Sequence, residues 1–158
     1  METYMDALTT ALAQLSRHAR QCAESLAAVA AAASEPQIRA ELAHRANLQR
    51  VAAAELAARA GTEEDGAGDT PGDPRDIPPF DAGELGLLHF AAQQAGRAAA
   101  AYGALLRESL DDAELRLLLA HYYRGATELQ RMLEQRAVDF TPSHGNTGEA
   151  RRATPPLH

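Results

Sequence analysis

The sequence predicts an all-α fold built from four helices, and two observations indicate it. The chain of 158 residues contains 36 alanines and 20 leucines, whereas aromatic residues make up only 4% of it. Alanine and leucine favour helices, and the β-branched and aromatic residues that favour strands are scarce. In addition, apolar residues recur at steps of three and four in four separate stretches, which is the spacing of a helix with one buried face. We place one domain at residues 1–140, as expected for this length.

The first predicted helix covers residues 3–33. Its apolar stripe consists of Met5, Leu8, Leu12, Leu15, Ala19, Cys22, Leu26 and Val29. Because Cys22 lies inside this stripe, we interpret it as a small buried side chain and not as a reactive thiol. A single cysteine also excludes a disulfide or a cysteine-based zinc site within one chain.

The second predicted helix covers residues 36–60. Ser34 is followed three residues later by Gln37, with Pro36 between them, which is typical of a capping box that opens a helix. Gly61 is a natural end for it. Its stripe is Ile38, Leu42, then either Arg45 or Leu48, then Ala52 and Leu56. The very short connection predicts that the first two helices pack as a hairpin.

A long connection follows at residues 61–81. Residues 61–83 hold five glycines, four prolines and seven acidic residues against one arginine, so no packed element is expected there. Fully extended, 23 residues reach about 75 Å, whereas a 25-residue helix is only about 37 Å long. The connection can therefore cross over the full length of a bundle. Its one apolar cluster, residues 77–80, is expected to press against the bundle surface.

The third predicted helix covers residues 82–108, with an N-cap signal in Asp81 and Glu84. Its stripe is Leu85, Leu88, Ala92, Ala95, Ala99, Tyr102 and Leu106. Gly96 and Gly103 lie beside that stripe and predict the close approach of a neighbouring helix. Each glycine costs about 1 kcal/mol of helix propensity.

The fourth predicted helix covers residues 112–138, after possible cap residues between Ser109 and Glu114. Its stripe is Leu115, Leu118, Tyr122, Gly125, Leu129 and Met132. Thr141 and Pro142 are expected to end it. Residues 141–158 are rich in glycine, proline, serine and threonine, and we predict a disordered C-terminal tail there.

Two helical hairpins joined by one long crossover is the connection pattern of ferritin-like bundles. The segments 34–39, 48–56 and 101–105 (SEPQIR, LQRVAAAEL and AYGAL) resemble motifs of an uncharacterised bacterial family of ferritin-like domains. In that family a turn of the type Asp-Pro-Glu-Leu opens the second helix, which ends in Ala-Ala-Glu-Leu. The resemblance spans roughly residues 5–138. It implies an antiparallel ferritin-like four-helix bundle that often forms dimers or larger units and has no assigned reaction.

A di-iron or di-manganese site in such a bundle needs a Glu from each of two helices and a Glu-x-x-His from each of the other two. Glu41 and His44 form the only Glu-x-x-His of the chain, and the third helix has no carboxylate between Glu84 and Glu108. The alternative interpretation of Glu41 is a surface ion pair with Arg45. We therefore assign no catalytic, cofactor-binding or metal-binding residue, and retain Glu41 and His44 only as candidates for a metal.

Charge and hydropathy exclude several partners. The formal net charge of −7 repels phosphate backbones and anionic lipids, so we expect no nucleic-acid partner. The sequence has no apolar run of membrane-spanning length and no secretory signal at its start, so we expect no membrane partner and a cytoplasmic location.

These observations lead to a first hypothesis of a non-enzymatic ferritin-like bundle without an intact di-iron site. It would act through self-association, most simply as a homodimer, or through an unknown protein partner. The alternative is a metal-binding oxidase or iron-handling protein that holds iron or manganese through Glu41 and His44. Glu24, and His89 or a second chain, would complete that site.

A third hypothesis is a small-molecule binder. Tyr102, Tyr122 and Met132 would line its pocket. If Tyr102 and Tyr122 meet in the core, a buried hydroxyl needs a hydrogen-bond partner, for which Gln49 and Arg45 are candidates.

Overall fold

A computed structural model describes residues 2–61 and 77–153, with side chains described for residues 6–61 and 77–140. Its helices are α1 (Glu2–Ala32), α2 (Pro36–Ala60), α3 (Gly83–Leu106) and α4 (Ala113–Ala153), and a 3-10 turn (Phe80–Ala82) precedes α3. No strand occurs in the described ranges. The predicted all-α class with four helices is confirmed. Most of the predicted crossover, residues 62–76, lies outside the described residues.

Of the two end signals predicted for α2, the capping box at its start is absent and the glycine at its end is present. The helix begins at Pro36, but Glu35 is its N-cap residue and no side chain caps it, so the predicted capping box does not form. Instead the Arg39 guanidinium donates a hydrogen bond to the Ala33 carbonyl (3.0 Å) and holds the turn from α1. Gly61 ends α2 with φ +77°, the left-handed conformation that glycine adopts without penalty.

The two later helices differ in how they start. In α4, Asp112 Oδ1 accepts a hydrogen bond from the Leu115 amide (3.1 Å), which confirms a cap within the predicted segment. In α3, Ala82 occupies the N-cap position and no side chain caps the helix, so Asp81 does not have the role expected of it.

Helix α4 is longer than its sequence indicates. Its backbone continues through Thr141 and Pro142 to Ala153, where we expected a disordered tail. Proline removes one helical hydrogen bond, but its fixed φ near −65° is itself helical, so a helix can pass through it at a cost of about 3 kcal/mol. Residues 154–158 lie outside the described residues.

Helices α1 and α3 form the centre of the fold. Helix α1 packs along α2 and along α3, and α3 packs along α4. Helices α2 and α4 make hardly any close backbone contact with each other. The molecule therefore consists of two packed helix pairs, α1 with α2 and α3 with α4, which meet along a seam between α1 and α3, with α2 and α4 on the outside.

The core forms two main clusters, one toward each end of the bundle. The first core cluster includes Leu26, Val29, Leu42, Ala46, Leu87, Leu88, Ala91, Leu129 and Leu133. The second core cluster includes Leu12, Leu15, Leu56, Ala98, Tyr102, Leu115, Leu119 and Ala126. From Leu12 to Val29 the predicted stripe of α1 is buried at every position. On α2 neither open alternative is in the core, because Arg45 is half-buried, Leu48 is 50% exposed and Ala46 is buried instead.

The apolar cluster before α3 and two glycines within α3 were both expected to contact neighbouring elements, and only the glycines do so. Ile77 and Phe80 are 60% and 68% exposed and do not press against the bundle. The Phe80 amide donates to the Pro78 carbonyl (3.0 Å) in a local turn that leaves both side chains in solvent. Gly96 and Gly103 do admit a neighbour, because a Cβ there would meet the side chains of Gln130 and Tyr123 on α4. That contact lies inside the chain, so self-association would have to use another surface.

Two glycines with open space around them are expected to respond oppositely to alanine. Gly125 lies inside α4 with nothing within 4 Å of a Cβ, so Gly125→Ala is expected to raise the free energy of unfolding by about 0.5 to 1 kcal/mol through helix propensity. Gly61 is equally open but has φ +77°, so Gly61→Ala is expected to lower it by about 1 kcal/mol. Urea unfolding of both variants measures this. Equal shifts of the same sign would contradict the backbone conformations described here.

Candidate functional site

The described part of the chain contains a cleft where α2 and α4 separate. We call it the α2–α4 cleft. It has a volume of about 460 Å³, which lies within the range of small-molecule sites. Its lining residues come from α2, α3 and α4, and they are Arg45, Leu48, Gln49, Val51, Ala52, Glu55, Tyr102, Leu118, His121, Tyr122, Gly125 and Leu129.

Small residues explain why the cleft stays open. Ala52 on α2 and Gly125 on α4 have little or no side chain to fill the space between these helices. The buried row of α4 is turned away from the cleft, because Leu119, Ala126 and Leu133 enter the core while Leu118 is only partly buried. The stripe predicted for α4 is therefore, for the most part, the wall of the cleft.

Three aromatic rings form a continuous row along the cleft. The ring centroids of Tyr102 and Tyr122 are 5.9 Å apart with an interplanar angle of 41°. The centroids of His121 and Tyr122 are 5.6 Å apart with an angle of 50°. These separations lie in the range of favourable tilted ring pairs. Tyr102 and Tyr122 therefore do meet, which the small-molecule hypothesis had left open.

The Tyr122 hydroxyl is bound by α2. It donates a 2.8 Å hydrogen bond to Glu55 Oε1, and Glu55 Oε2 also lies 3.9 Å from Arg59 Nε, one helical turn further along α2. Burial raises the pKa of Tyr122 above its usual value, and the hydrogen bond and negative charge of Glu55 raise it further, against a smaller lowering by Arg59. This chain of polar contacts joins the two outer helices.

The Tyr102 hydroxyl has no such partner. Tyr102 is 1% exposed, and its hydroxyl is buried without a hydrogen bond in the structure. Burial raises the pKa of Tyr102, and the neighbouring Tyr122 and Cys22 raise it further. The sequence suggested Gln49 or Arg45 as its partner. Both line the same cleft, but neither forms a hydrogen bond with the Tyr102 hydroxyl.

Met132 does not belong to the cleft. It is partly buried and packs against the first core cluster. Of the three residues predicted to line a pocket, the structure brings together Tyr102 and Tyr122. Sequence reasoning missed Leu118, His121 and Gly125 as lining residues, although two of them were already part of the α4 stripe.

The candidate metal residues lie on the outer surface. Glu41 and His44 are both exposed, and Glu41 Oε1 lies 3.9 Å from Arg136 Nη2 on α4 and does not pair with Arg45. Glu24 and His89 are exposed as well. Among the side chains that the structure describes, no group of three or more histidine, cysteine, aspartate or glutamate residues lies close enough to hold a metal ion.

Two buried groups outside the cleft have structural roles. Ser16 Oγ donates a 2.7 Å hydrogen bond to the Ala53 carbonyl and joins α1 to α2. Cys22 is buried as predicted, and burial raises its pKa to about 12, so the thiolate needed for reactivity is suppressed.

A second cavity of about 430 Å³ lies between the start of α1 and the end of α3. Its lining is mostly alanine and leucine, with Gln14 and Glu108 as the polar members. None of its lining residues has a buried side-chain polar atom without a hydrogen bond, such as the Tyr102 hydroxyl in the α2–α4 cleft.

None of the described helices combines the length and the apolar character needed to cross a membrane. Comparison of the chain with protein-family models, with curated proteins and with solved structures finds no match in any of the three.

Proposed function

We propose that this protein is a non-enzymatic, cytoplasmic helical bundle of ferritin-like topology that works by binding, and that it self-associates through the face where α2 and α4 separate. The observation that carries this proposal is the position of the exposed apolar side chains. Leu48 and Val51 on α2 are 50% and 62% exposed, and Leu117 on α4 is 74% exposed. We call these three residues the cleft rim.

Contacts between helices support the antiparallel part of this proposal. Ser16, in the first half of α1, bonds to Ala53 near the end of α2. Likewise Tyr102 near the end of α3 contacts Tyr122, whereas the earlier Gly96 faces the later Gln130 on α4. Both hairpins are thus consistent with helices that run in opposite directions.

The ends of α2 and α3 support a crossover connection. Ala60 at the end of α2 belongs to the second core cluster, whereas Leu87 and Leu88 at the start of α3 belong to the first. The end of α2 and the start of α3 thus lie toward opposite ends of the bundle. A long connection of that kind is the pattern of ferritin-like bundles.

The distribution of apolar surface supports self-association. Among the described side chains, the large exposed hydrophobic residues lie on α2, on α4 and just before α3, and none lies on α1 or α3. A two-fold axis lets the same patch face its own copy, so one apolar rim is enough for a dimer interface. Covering it would add apolar burial to a core that consists largely of alanine.

The metal-dependent alternative has less support. The Glu41 carboxylate lies near an arginine cation, and His44 is solvent-exposed on the same outer surface. A redox metal site in a bundle of this kind is built from side chains that project into the interior. The outward position of both candidates therefore favours the non-enzymatic proposal.

Sedimentation analysis tests the dimer. Wild-type protein is expected to sediment as a dimer at micromolar concentration, and Leu48→Glu as a monomer, because a charge would be buried at the interface. Val138→Glu is the matched control, since Val138 is 57% exposed on α4 but does not line the cleft, and it should remain dimeric. A wild-type protein that is monomeric at every concentration would refute self-association.

A further inference from the structure

We propose that the α2–α4 cleft is a binding site for a small planar organic acid, whose acidic group pairs with Arg45 and whose body carries an oxygen that accepts a hydrogen bond from the Tyr102 hydroxyl. This inference goes beyond self-association and does not depend on it. The site lies within one chain, on residues from α2, α3 and α4.

The unpaired hydroxyl of Tyr102 indicates that the cleft takes a ligand. A buried hydroxyl without a hydrogen bond is costly, and native proteins rarely leave one. The adjacent tyrosine shows the usual solution, because the Tyr122 hydroxyl is satisfied by Glu55. Tyr102 lines an open volume of about 460 Å³, and because its hydroxyl oxygen has almost no exposed surface, a ligand acceptor can supply the missing bond once the side chains that cover this oxygen shift aside.

The shape and polarity of the cleft favour a planar, largely apolar body. The rings of His121 and Tyr122 offer aromatic surface along one side, with the buried ring of Tyr102 behind them, and Leu118 supplies aliphatic surface beside them. The lining from residue 45 to residue 55 spans ten residues of α2, which is about 15 Å of helix. A fused bicyclic molecule fits this length and can contact the rings by stacking or edge-to-face packing.

The charge available in the cleft is positive. Glu55 is already engaged by the Tyr122 hydroxyl and Arg59. Arg45 is half-buried in the lining, and no hydrogen bond or ion pair joins its guanidinium to another described residue. A guanidinium binds a carboxylate through two parallel hydrogen bonds. An acidic ligand is therefore favoured over a neutral or cationic one.

A pair of fluorescent acids tests both contacts. The probes are 6-hydroxy-2-naphthoate, which has an oxygen far from its carboxylate, and 2-naphthoate, which lacks that oxygen. Fluorescence titration of the wild type is expected to give micromolar binding of the first probe. Tyr102→Phe keeps the ring and should weaken 6-hydroxy-2-naphthoate about tenfold while leaving 2-naphthoate unchanged.

Arg45→Gln tests the charge. It is expected to weaken both acids at least tenfold and to leave the neutral probe 2-naphthol unchanged. Arg50→Gln is the matched control, because Arg50 is exposed on the same helix and bonds to Asn47 (2.9 Å) outside the cleft. It should bind all three probes like the wild type.

Three results would overturn the proposal. The first is that neither acid binds below millimolar concentration. The second is that 6-hydroxy-2-naphthoate binds the wild type and Tyr102→Phe with equal affinity, because water alone satisfies the hydroxyl, and the third is that Arg45→Gln and Arg50→Gln lose the same affinity for the acids. Leu117→Glu, which is also expected to be monomeric, separates this site from the dimer, because Leu117 belongs to the cleft rim but is not among the residues that line the cleft. If it binds the probes, and if Tyr102→Phe in this background still weakens 6-hydroxy-2-naphthoate, the ligand site is supported independently of the result for self-association.

Discussion

Replacing Leu26 with alanine is expected to lower the free energy of unfolding by about 4 kcal/mol, near the upper end for such substitutions. Leu26 is fully buried in the first core cluster. Many of its neighbours in this cluster are alanines, including Ala46, Ala91 and Ala95. An alanine side chain has no rotamer through which it could move into the space left behind, so the cavity persists and its full cost is felt.

Urea unfolding measures this loss, with Val138→Ala as the control. Val138 is 57% exposed, and its truncation is expected to change stability by no more than about 0.5 kcal/mol. If Leu26→Ala and Val138→Ala lose the same free energy, the first core cluster is not packed as described.

The second large effect is expected at alkaline pH. Burial raises the pKa of Cys22 from 9.0 to about 12, so above pH 9 the unfolded chain loses a proton that the folded chain keeps. The stability contributed by the protonated thiol is therefore complete below pH 9 and is lost as the pH rises toward 12. We expect the free energy of unfolding to fall by about 1.4 kcal/mol per pH unit in this range.

Tyr102 adds to this slope from about pH 10, because burial raises its pKa too. The measurement is urea unfolding between pH 8 and 11 at a fixed protein concentration. Cys22→Ala should make the fall shallower from pH 9 upward, and Tyr102→Phe should make it shallower above pH 10, where Tyr122, whose pKa is also raised, continues to contribute. Tyr123→Phe, at an exposed ring, should leave it unchanged. An unaltered slope in Cys22→Ala would contradict the burial of the thiol.

The sequence predicted the helices of this fold well, because a buried stripe repeated over a whole helix is a strong signal. The α1 stripe from Leu12 to Val29 is buried throughout. Helix α4 was harder, since Leu117, Leu118 and Leu119 are consecutive and point in three directions. The periodicity placed Leu118 in the buried stripe, and this was wrong, because Leu119 enters the core while Leu118 is only partly buried.

The cleft could be predicted only in part. The meeting of Tyr102 and Tyr122 follows from their positions on two helical stripes. The pairing of Tyr122 with Glu55 joins residues 67 positions apart, and it depends on the rotation of α4 relative to α2. Local sequence patterns do not contain that angle. For the same reason Glu41 was expected to pair with Arg45 on its own helix, whereas its partner is Arg136.

Because α1 and α3 meet at the centre of the fold, the residues that stabilise the core are largely different from the exposed residues of α2 and α4. The core clusters depend on the central pair of helices, whereas several cleft residues, such as Gln49 and His121, lie on the outer pair and remain partly or fully exposed. Substitutions at exposed positions usually change stability by less than about 0.5 kcal/mol. The cleft can therefore acquire a new specificity through mutation without bringing the fold close to its stability threshold.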